Sequence, residues 1–454
     1  MQKTETTATT AKTTTDDMMS VARAAAKTAL AKGAAEAAAG AYRVRDVEVT
    51  WRDGKIEKVQ EATTRGVGLQ LYVDGRYSAV SSSDLRPEAL EQFIADSVAM
   101  TRTLTKDPFR ALPAPTLYAG QAKVDLKLED PKYGAVGPDE RRRIVKDMEL
   151  AARSVKGSEA ILSVTTSFND SLSETFRVHS NGFEGSRRET VFRFSAETSV
   201  KDADGRRPED YAAAGSRFFG ELPNVAATGR ESTERALSRL GSKKGDSAVL
   251  TMAIEARSAG RILGALMGPL SAGSIQQKRS FLEGKLGQQI GSPLLAIADD
   301  PLVPKGFGSR LFDGEGIAAK AMPVFEGGVL KNYYVDTYYG KKLGIAPTTA
   351  GASNLVWKLG TKGQAQLLAD MKEGILVTSF LGGNSNGTTG DFSLGIQGFR
   401  VRAGAIAEPV GEMNISGNHL EFWKKLAAVG NDPYPYSTMR TPTLVFEGVQ
   451  FAGV

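Results

Sequence analysis

Apolar residues recur at helical spacing through DDMMSVARAAAKTALAKG, from Asp16 to Gly33. This predicts an Ala-rich helix, capped by aspartate and ended by glycine. The pattern then switches to alternation in DVEVTWRDGKIEKVQEATTRGVGLQLYVDGRYSAVSSS. Asp53-Gly54 and Asp74-Gly75 break that alternation, and Asp-Gly between alternating runs signals a tight hairpin. SDLRPEALEQFIADSVAMTRTL returns to helical spacing, with Ser83 or Asp84 as the expected cap and Pro87 in the first turn. Prolines in DPFRALPAPTL mark a linker.

The middle of the chain repeats this content without a clear sequence repeat. GPDERRRIVKDMELAARSV predicts a helix, and AILSVTTSFNDSLSETFRVHSNGFEGSRRETVFRFSAETSV predicts strands around an Asn181-Gly182 turn. DYAAAGSRFFGELPN through GRESTERALSRLGS is expected to be helical. From residue 245, a strand leads into a helix in GDSAVLTMAIEARSAGRILGAL; short strands and Gly/Asn turns follow to the end. The expected fold class is therefore α+β. The segments are a disordered Thr-rich tail at 1–18, a helix and strand-meander domain at 19–113, a middle α+β domain at 127–240, and a mainly β, barrel-like domain with a few helices at 245–454.

Composition narrows the chemistry. The chain of 454 residues has no cysteine, which removes disulfides, thiolate nucleophiles and iron–sulfur clusters and fits a reducing compartment. The first residues lack an apolar signal core, so the cytoplasm is the expected location. A net charge of +5 is mild, and its basic and acidic residues are interspersed. The run Arg141-Arg142-Arg143 reads as a solvated helix face rather than a nucleic-acid contact. Two histidines exist, His179 and His419, and both read as structural. Asp299, Asp300, Asp313 and Glu315 carry the chemistry of a hard-cation or acid–base site, but turn capping is commoner for such residues. LGGNSNGTTGDFSLG has no Walker lysine and reads as a polar binding loop. No catalytic constellation is recognisable from spacing alone.

The chain nevertheless resembles the TldD/PmbA family, in its PmbA (TldE) branch. The resemblance is carried by RDGKIEKVQEATTRGVGLQLYVDGRYSAVSSSDLRPEAL, DDPLVPKGFGSRLFDGEGIAAK, FEGGVLKNYYVDTYYGKKLG, GASNL, NGTTGDFSLGIQGFRVRAGAIAEPVGEMNISGN and AVGNDPYPYS, in that order. It implies the following. TldD-type subunits are metalloproteases with His-Glu-x-x-x-His on a helix early in the last domain and a cysteine near the C-terminus. TldE-type subunits share the fold, lack the motif and form the non-catalytic half of a heterodimer. The pair trims unfolded or ribosomally made peptides, such as microcin precursors and an antitoxin. An older family label is modulator of DNA gyrase.

Aligned on the family's Gly-x-Leu-Leu lead-in at Gly260 to Leu263, the first histidine position falls on Gly264, the glutamate on Ala265 and the second histidine on Pro269. The cysteine position falls on or near Thr441, and Glu255 is the nearest acid. None of these holds zinc alone. The resemblance thus implies no catalytic residue and no metal in this chain, a zinc-like metal in a TldD-type partner, a peptide substrate and no membrane. The polar residues Asn384, Ser385, Asn386, Thr388, Thr389 and Asp391, with Asn354 near them, are the expected substrate or interface contacts. The alternatives are a homodimeric peptide-binding or regulatory protein and a gyrase modulator. The dispersed charge argues against nucleic acid.

Overall fold

The structure, a computed structural model, describes residues 15–454. Most of the expected tail therefore lies outside the described residues, but its last part does not. Helix α1 spans Thr15–Ala31, and Met18 is buried in a core, so this part of the expected tail is helix. Burial of Met18 beside Ala22, Ala25 and Ala29 gives the first turn apolar contacts that a solvated tail lacks.

Strands β1 (Glu36–Arg52), β2 (Lys55–Val73) and β3 (Arg76–Ser82) follow, then α2 (Pro87–Thr101) and α3 (Pro138–Arg153). Both Asp-Gly hairpins form. Asp53 and Gly54 have φ of 45° and 83°, Asp74 and Gly75 of 50° and 75°, the positive values a two-residue hairpin turn requires. The α2 cap differs from expectation. Arg86 occupies the N-cap without a side-chain bond, and Asp84 instead accepts the Arg86 N–H at 3.1 Å. The Arg run also differs: Arg142 and Arg143 are exposed, but Arg141 is buried against Asp170 at 2.6 Å.

Next come β4 (Ile161–His179), β5 (Glu184–Val200), β6 (Glu209–Ser216) and α4 (Val225–Leu237). The β6 segment was expected to be helical. Its alanines alternate in burial and pair with β5 from Phe192↔Ser216 to Ser199↔Glu209. Ladder pairing has overridden the helix propensity of alanine.

By compactness the chain divides into two units, with cuts inside β1, β2, β4 and β5. One holds residues up to 45, 62–119 and 172–189; the other holds 46–61, 120–171 and 190–454. The first has a small core in which α1 alanines meet Ala37, Ala39, Leu69 and Leu71.

The second unit contains the rest: β7 (Ala248–Ile254), α5 (Ala256–Met267), α6 (Ala272–Gln276), β8 (Ile297–Asp299), β9 (Met322–Glu326), β10 (Val329–Leu330), α7 (Thr337–Leu343), β11 (Leu355–Trp357), α8 (Gln364–Met371), β12 (Gly374–Ser385), β13 (Asp391–Arg402), β14 (Ala405–Asn418), α9 (His419–Phe422), β15 (Leu426–Val429) and β16 (Leu444–Ala452). One sheet runs β14-β13-β12-β7-β16-β15, and β14 also pairs with β16 at Asn414↔Ala452 and Ile415↔Phe451. That extra pairing closes β14, β13, β12, β7 and β16 into a barrel, with β15 paired outside the ring on β16. A smaller sheet runs β10-β9-β8-β11. The α+β class with a barrel-like C-terminal domain is what the patterning implied.

Candidate functional site

Helix α5 leaves the barrel directly from β7. Ile262, Leu263 and Leu266 are fully buried in the main core, which fixes the rotation of the helix. Its start is pinned to the neighbouring strand: Glu255 N donates to Val377 O at 3.0 Å and Ser258 Oγ to Thr378 O at 2.6 Å. Gly268 and Pro269 end it in a short 3-10 turn, since proline cannot continue the backbone ladder.

The rotation turns Gly260, Arg261, Gly264 and Ala265 outward from the core. With Ser385 they line a cavity of about 320 Å³. Met439 packs along the glycines. A Cβ on Gly264 would stand 3.5 Å from Met439 Cε, and one on Gly260 3.5 Å from its Sδ and 3.9 Å from Thr441 Oγ1. Thr441 Oγ1 donates to Ala256 O at 2.8 Å. Thus the fold brings Gly264 and Ala265 to one cavity, with Thr441 beside the same helix. Pro269 lies apart from the cavity lining, buried, with its carbonyl accepting Ser280 Oγ at 2.7 Å.

These positions do not fit a zinc-like ion. Gly264, Ala265 and Pro269 offer no side-chain donor, and the Thr441 hydroxyl is engaged by backbone. Among the described residues, no three His, Cys, Asp or Glu side chains gather as a metal site. Glu255 is taken by Arg235, which grips both its oxygens at 2.7 Å.

The expected contact residues separate in two. Asn384 and Ser385 end β12, and Asn386, Thr388, Thr389 and Asp391 form an exposed turn onto β13. Asn386 Oδ1 accepts the Thr388 and Thr389 N–H groups at 2.9 and 3.3 Å, and Asp391 accepts Thr389 Oγ1 at 2.7 Å. Asn354 does not join them. It is 1% exposed, and its amide is spent on Asp300 O, Ser309 Oγ and Gly308 N, each at 2.9 Å. A buried, fully bonded amide braces loops and leaves nothing for a ligand.

The acidic candidates are also turned inward. Asp299 accepts the Tyr334 hydroxyl at 2.8 Å and the Ser353 N–H, and Asp300 accepts Leu302 N at 2.8 Å. Asp313 accepts Glu315 N and Ile317 N at 2.9 and 3.1 Å. Burial pushes Glu315 up to about 7, with Asp313 and Asp336 adding to the rise and bonds from Thr337 opposing it. Turn capping accounts for Asp300 and Asp313, whereas Asp299 and Glu315 tie distant loops together through Ser353, Tyr334 and Thr337.

His419 was missed as a cavity neighbour. Its ring lies between Phe281 and Phe392, with centroids at 5.7 and 4.8 Å, and Nε2 meets Ser385 Oγ at 3.2 Å. Burial lowers its pKa to about 4; burial, helped by Arg177, lowers that of His179 to about 3. Both imidazoles are therefore neutral in the fold, while the unfolded chain protonates them near ~6.5. Their stabilisation is complete above that pH and declines as pH falls towards the folded values. Chemical unfolding midpoints should drop between about pH 6.5 and 5, before most carboxylates titrate. His419→Phe should flatten that slope; an unchanged slope would contradict the burial argument.

Comparison with known proteins follows the same outline. Residues 37–101, 131–240 and 247–453 match the family models for domain 1, the central domain and the C-terminal domain of the PmbA/TldA metallopeptidases. The chain is 28% identical over 432 residues to the metalloprotease PmbA of Escherichia coli O157:H7, covering 93% of this chain and 94% of that protein. A Bacteroides thetaiotaomicron protein of solved structure, provisionally named a modulator of DNA gyrase, is 39% identical. It superposes with a TM-score of 0.94 over 97% of this chain and 100% of its own. TldE from Thermococcus kodakarensis shares the fold at 18% identity, with a TM-score of 0.85 over 95% of this chain and 100% of its own.

Proposed function

The chain belongs to the TldD/PmbA metallopeptidase family, and from that membership we propose that it is a TldE-like subunit, the non-catalytic half of a metalloprotease pair. The single observation that carries this is the lack of metal-ligating side chains on α5 and the turn that ends it: Gly264, Ala265 and Pro269 occupy the positions at which the family resemblance expects histidine, glutamate and histidine. A zinc-like ion would be held by a TldD-type partner. This chain would complete the dimer and wall the cleft opposite that metal. Its β-rich domain suits capture of an extended peptide, because backbone pairing gives affinity with little demand on sequence. Among the described residues no helix is long and apolar enough to cross a membrane, and the absence of cysteine suits the cytoplasm.

The test mixes the purified chain with a TldD-type subunit. A stable heteromeric complex should form and hydrolyse an unfolded peptide, and a chelator should abolish the activity. The chain by itself should hydrolyse nothing. Strong, chelator-insensitive peptidase activity from the isolated chain would sink the proposal. Native mass spectrometry of the complex taken from cells would favour a homodimeric regulator if it showed only a self-pair.

A further inference from the structure

The cavity beside α5 has a one-sided chemistry. Its polar side chains are Arg261 and Ser385, and its remaining lining is Gly260, Gly264 and Ala265. Arg261 is exposed, and its Nη2 reaches Gly383 O at 3.3 Å. Among the described residues no carboxylate pairs with it, whereas the nearby Arg235 and Arg257 are both paired with Asp210 and Glu255.

Ser385 adds a second donor. His419 Nε2 contacts its Oγ, while the buried Nδ1 has no partner. A buried unpaired N–H costs more than a buried bare lone pair, so the neutral ring carries its hydrogen on Nε2 and donates it to Ser385. The Ser385 hydroxyl hydrogen is then free to point into the cavity. Two donors, one of them cationic, and no acid describe a receptor for an anion with two acceptor oxygens.

We propose that this cavity captures the C-terminal carboxylate of a peptide, held by Arg261 and Ser385. A volume of about 320 Å³ lies at the small end of ligand pockets, so it suits the end of a chain rather than its length. Gly260, Gly264 and Ala265 add little side-chain bulk to the lining, which leaves room for a terminal main chain beside Met439. This rests on the peptide-handling reading above, and it assigns the recognition of the substrate's end to the subunit without the metal.

The experiment uses calorimetric titration of the full chain with one short peptide in three forms: free acid, C-terminal amide, and amide with an internal glutamate. The free acid should bind about tenfold tighter than either amide. R261A should bring the acid and the plain amide to parity without moving the melting temperature, and R261K should keep part of the difference. A265L, which leaves Arg261 in place and extends a side chain that already lines the cavity, should fill it and weaken the free acid. Equal binding of acid and amide, an internal-glutamate amide that matches the acid, or no binding of any form would each overturn the proposal. Hydrolysis by the mixed complex is scored separately. A complex that cleaves acid and amide alike leaves the pairing intact and removes the clamp. A chain that prefers the acid but never pairs does the reverse.

Discussion

Asp210→Ala should cost about 3–5 kcal/mol at neutral pH, the range for removing one partner from a buried ion cluster. Asp210 sits on β6 and is 5% exposed. It accepts Arg239 Nε at 2.8 Å and Arg257 Nη2 at 2.6 Å, and Arg235 Nε lies 3.4 Å away. Glu255 is the second acid of the group. Removing Asp210 leaves three guanidinium groups facing one carboxylate in a place with little water. The damage would reach the cavity, because Glu255 and Arg257 form the corner at which α5 begins.

The pH dependence has a defined sign. Burial raises the Asp210 pKa, but Arg257, Arg235 and Arg239 together outweigh it and hold the carboxyl below its ordinary value. Its contribution is therefore full above the unfolded value of about 3.9 and disappears only as pH falls through the lower folded value. Thermal or urea unfolding of D210A against the wild type should show the large gap at pH 7 and a smaller one near pH 3. D210N keeps an acceptor oxygen without the charge and should fall between them. A gap below about 1 kcal/mol at pH 7 would mean that the cluster behaves as an exposed one.

What the sequence disclosed depended on how local the deciding physics was. Asp53-Gly54 and Asp74-Gly75 were legible because a two-residue hairpin needs positive φ at both positions, and few residues tolerate it. The alanines of Glu209–Ser216 were not. Alanine fits a helix by propensity, and only the presence of β5 alongside makes this segment a strand. The same holds at Glu36, where β1 begins inside an Ala-rich run.

The site divides similarly. Gly264, Ala265 and Pro269 could be placed by resemblance within one short segment, α5 and the turn that ends it. Ser385 was legible as a polar contact but not its place beside α5, and His419 and Met439 were not legible there at all, because strand pairing brings them to α5 across more than a hundred residues of chain. Asn354 shows the opposite error. A polar residue in a Gly/Ser-rich stretch looks available for binding, and only the fold reveals that its amide is consumed by three loop contacts. Arg141 fails for a related reason: within a run of three arginines, position on the helix decides which one is buried against Asp170.

Gly229→Ala should destabilise the protein by several kcal/mol, although helix propensity alone predicts the reverse. Gly229 lies inside α4, where alanine is worth about 1 kcal/mol more than glycine. The opposing effect is steric. A Cβ at this position would sit 2.2 Å from Met148 O, 3.0 Å from its carbonyl carbon and 3.1 Å from its Cα. All three atoms are backbone of α3, so no rotamer change relieves the clash and the two helices must separate. Overpacking of this kind costs about 1–3 kcal/mol even where side chains yield, and here they cannot. Separation also strains a buried hydroxyl network. Ser232 Oγ donates to Gly229 O at 2.8 Å and lies 2.9 Å from Thr198 Oγ1 on β5, which in turn lies 3.1 Å from Thr233 Oγ1. Lost bonds among buried polar groups add to the steric cost. Melting of G229A should therefore fall clearly below the wild type, with Gly220→Ala as a control, because a Cβ there meets nothing within 4 Å. A melting point at or above the wild type would mean that α3 and α4 have room between them. In that case the close approach at Met148 would not be what sets their spacing.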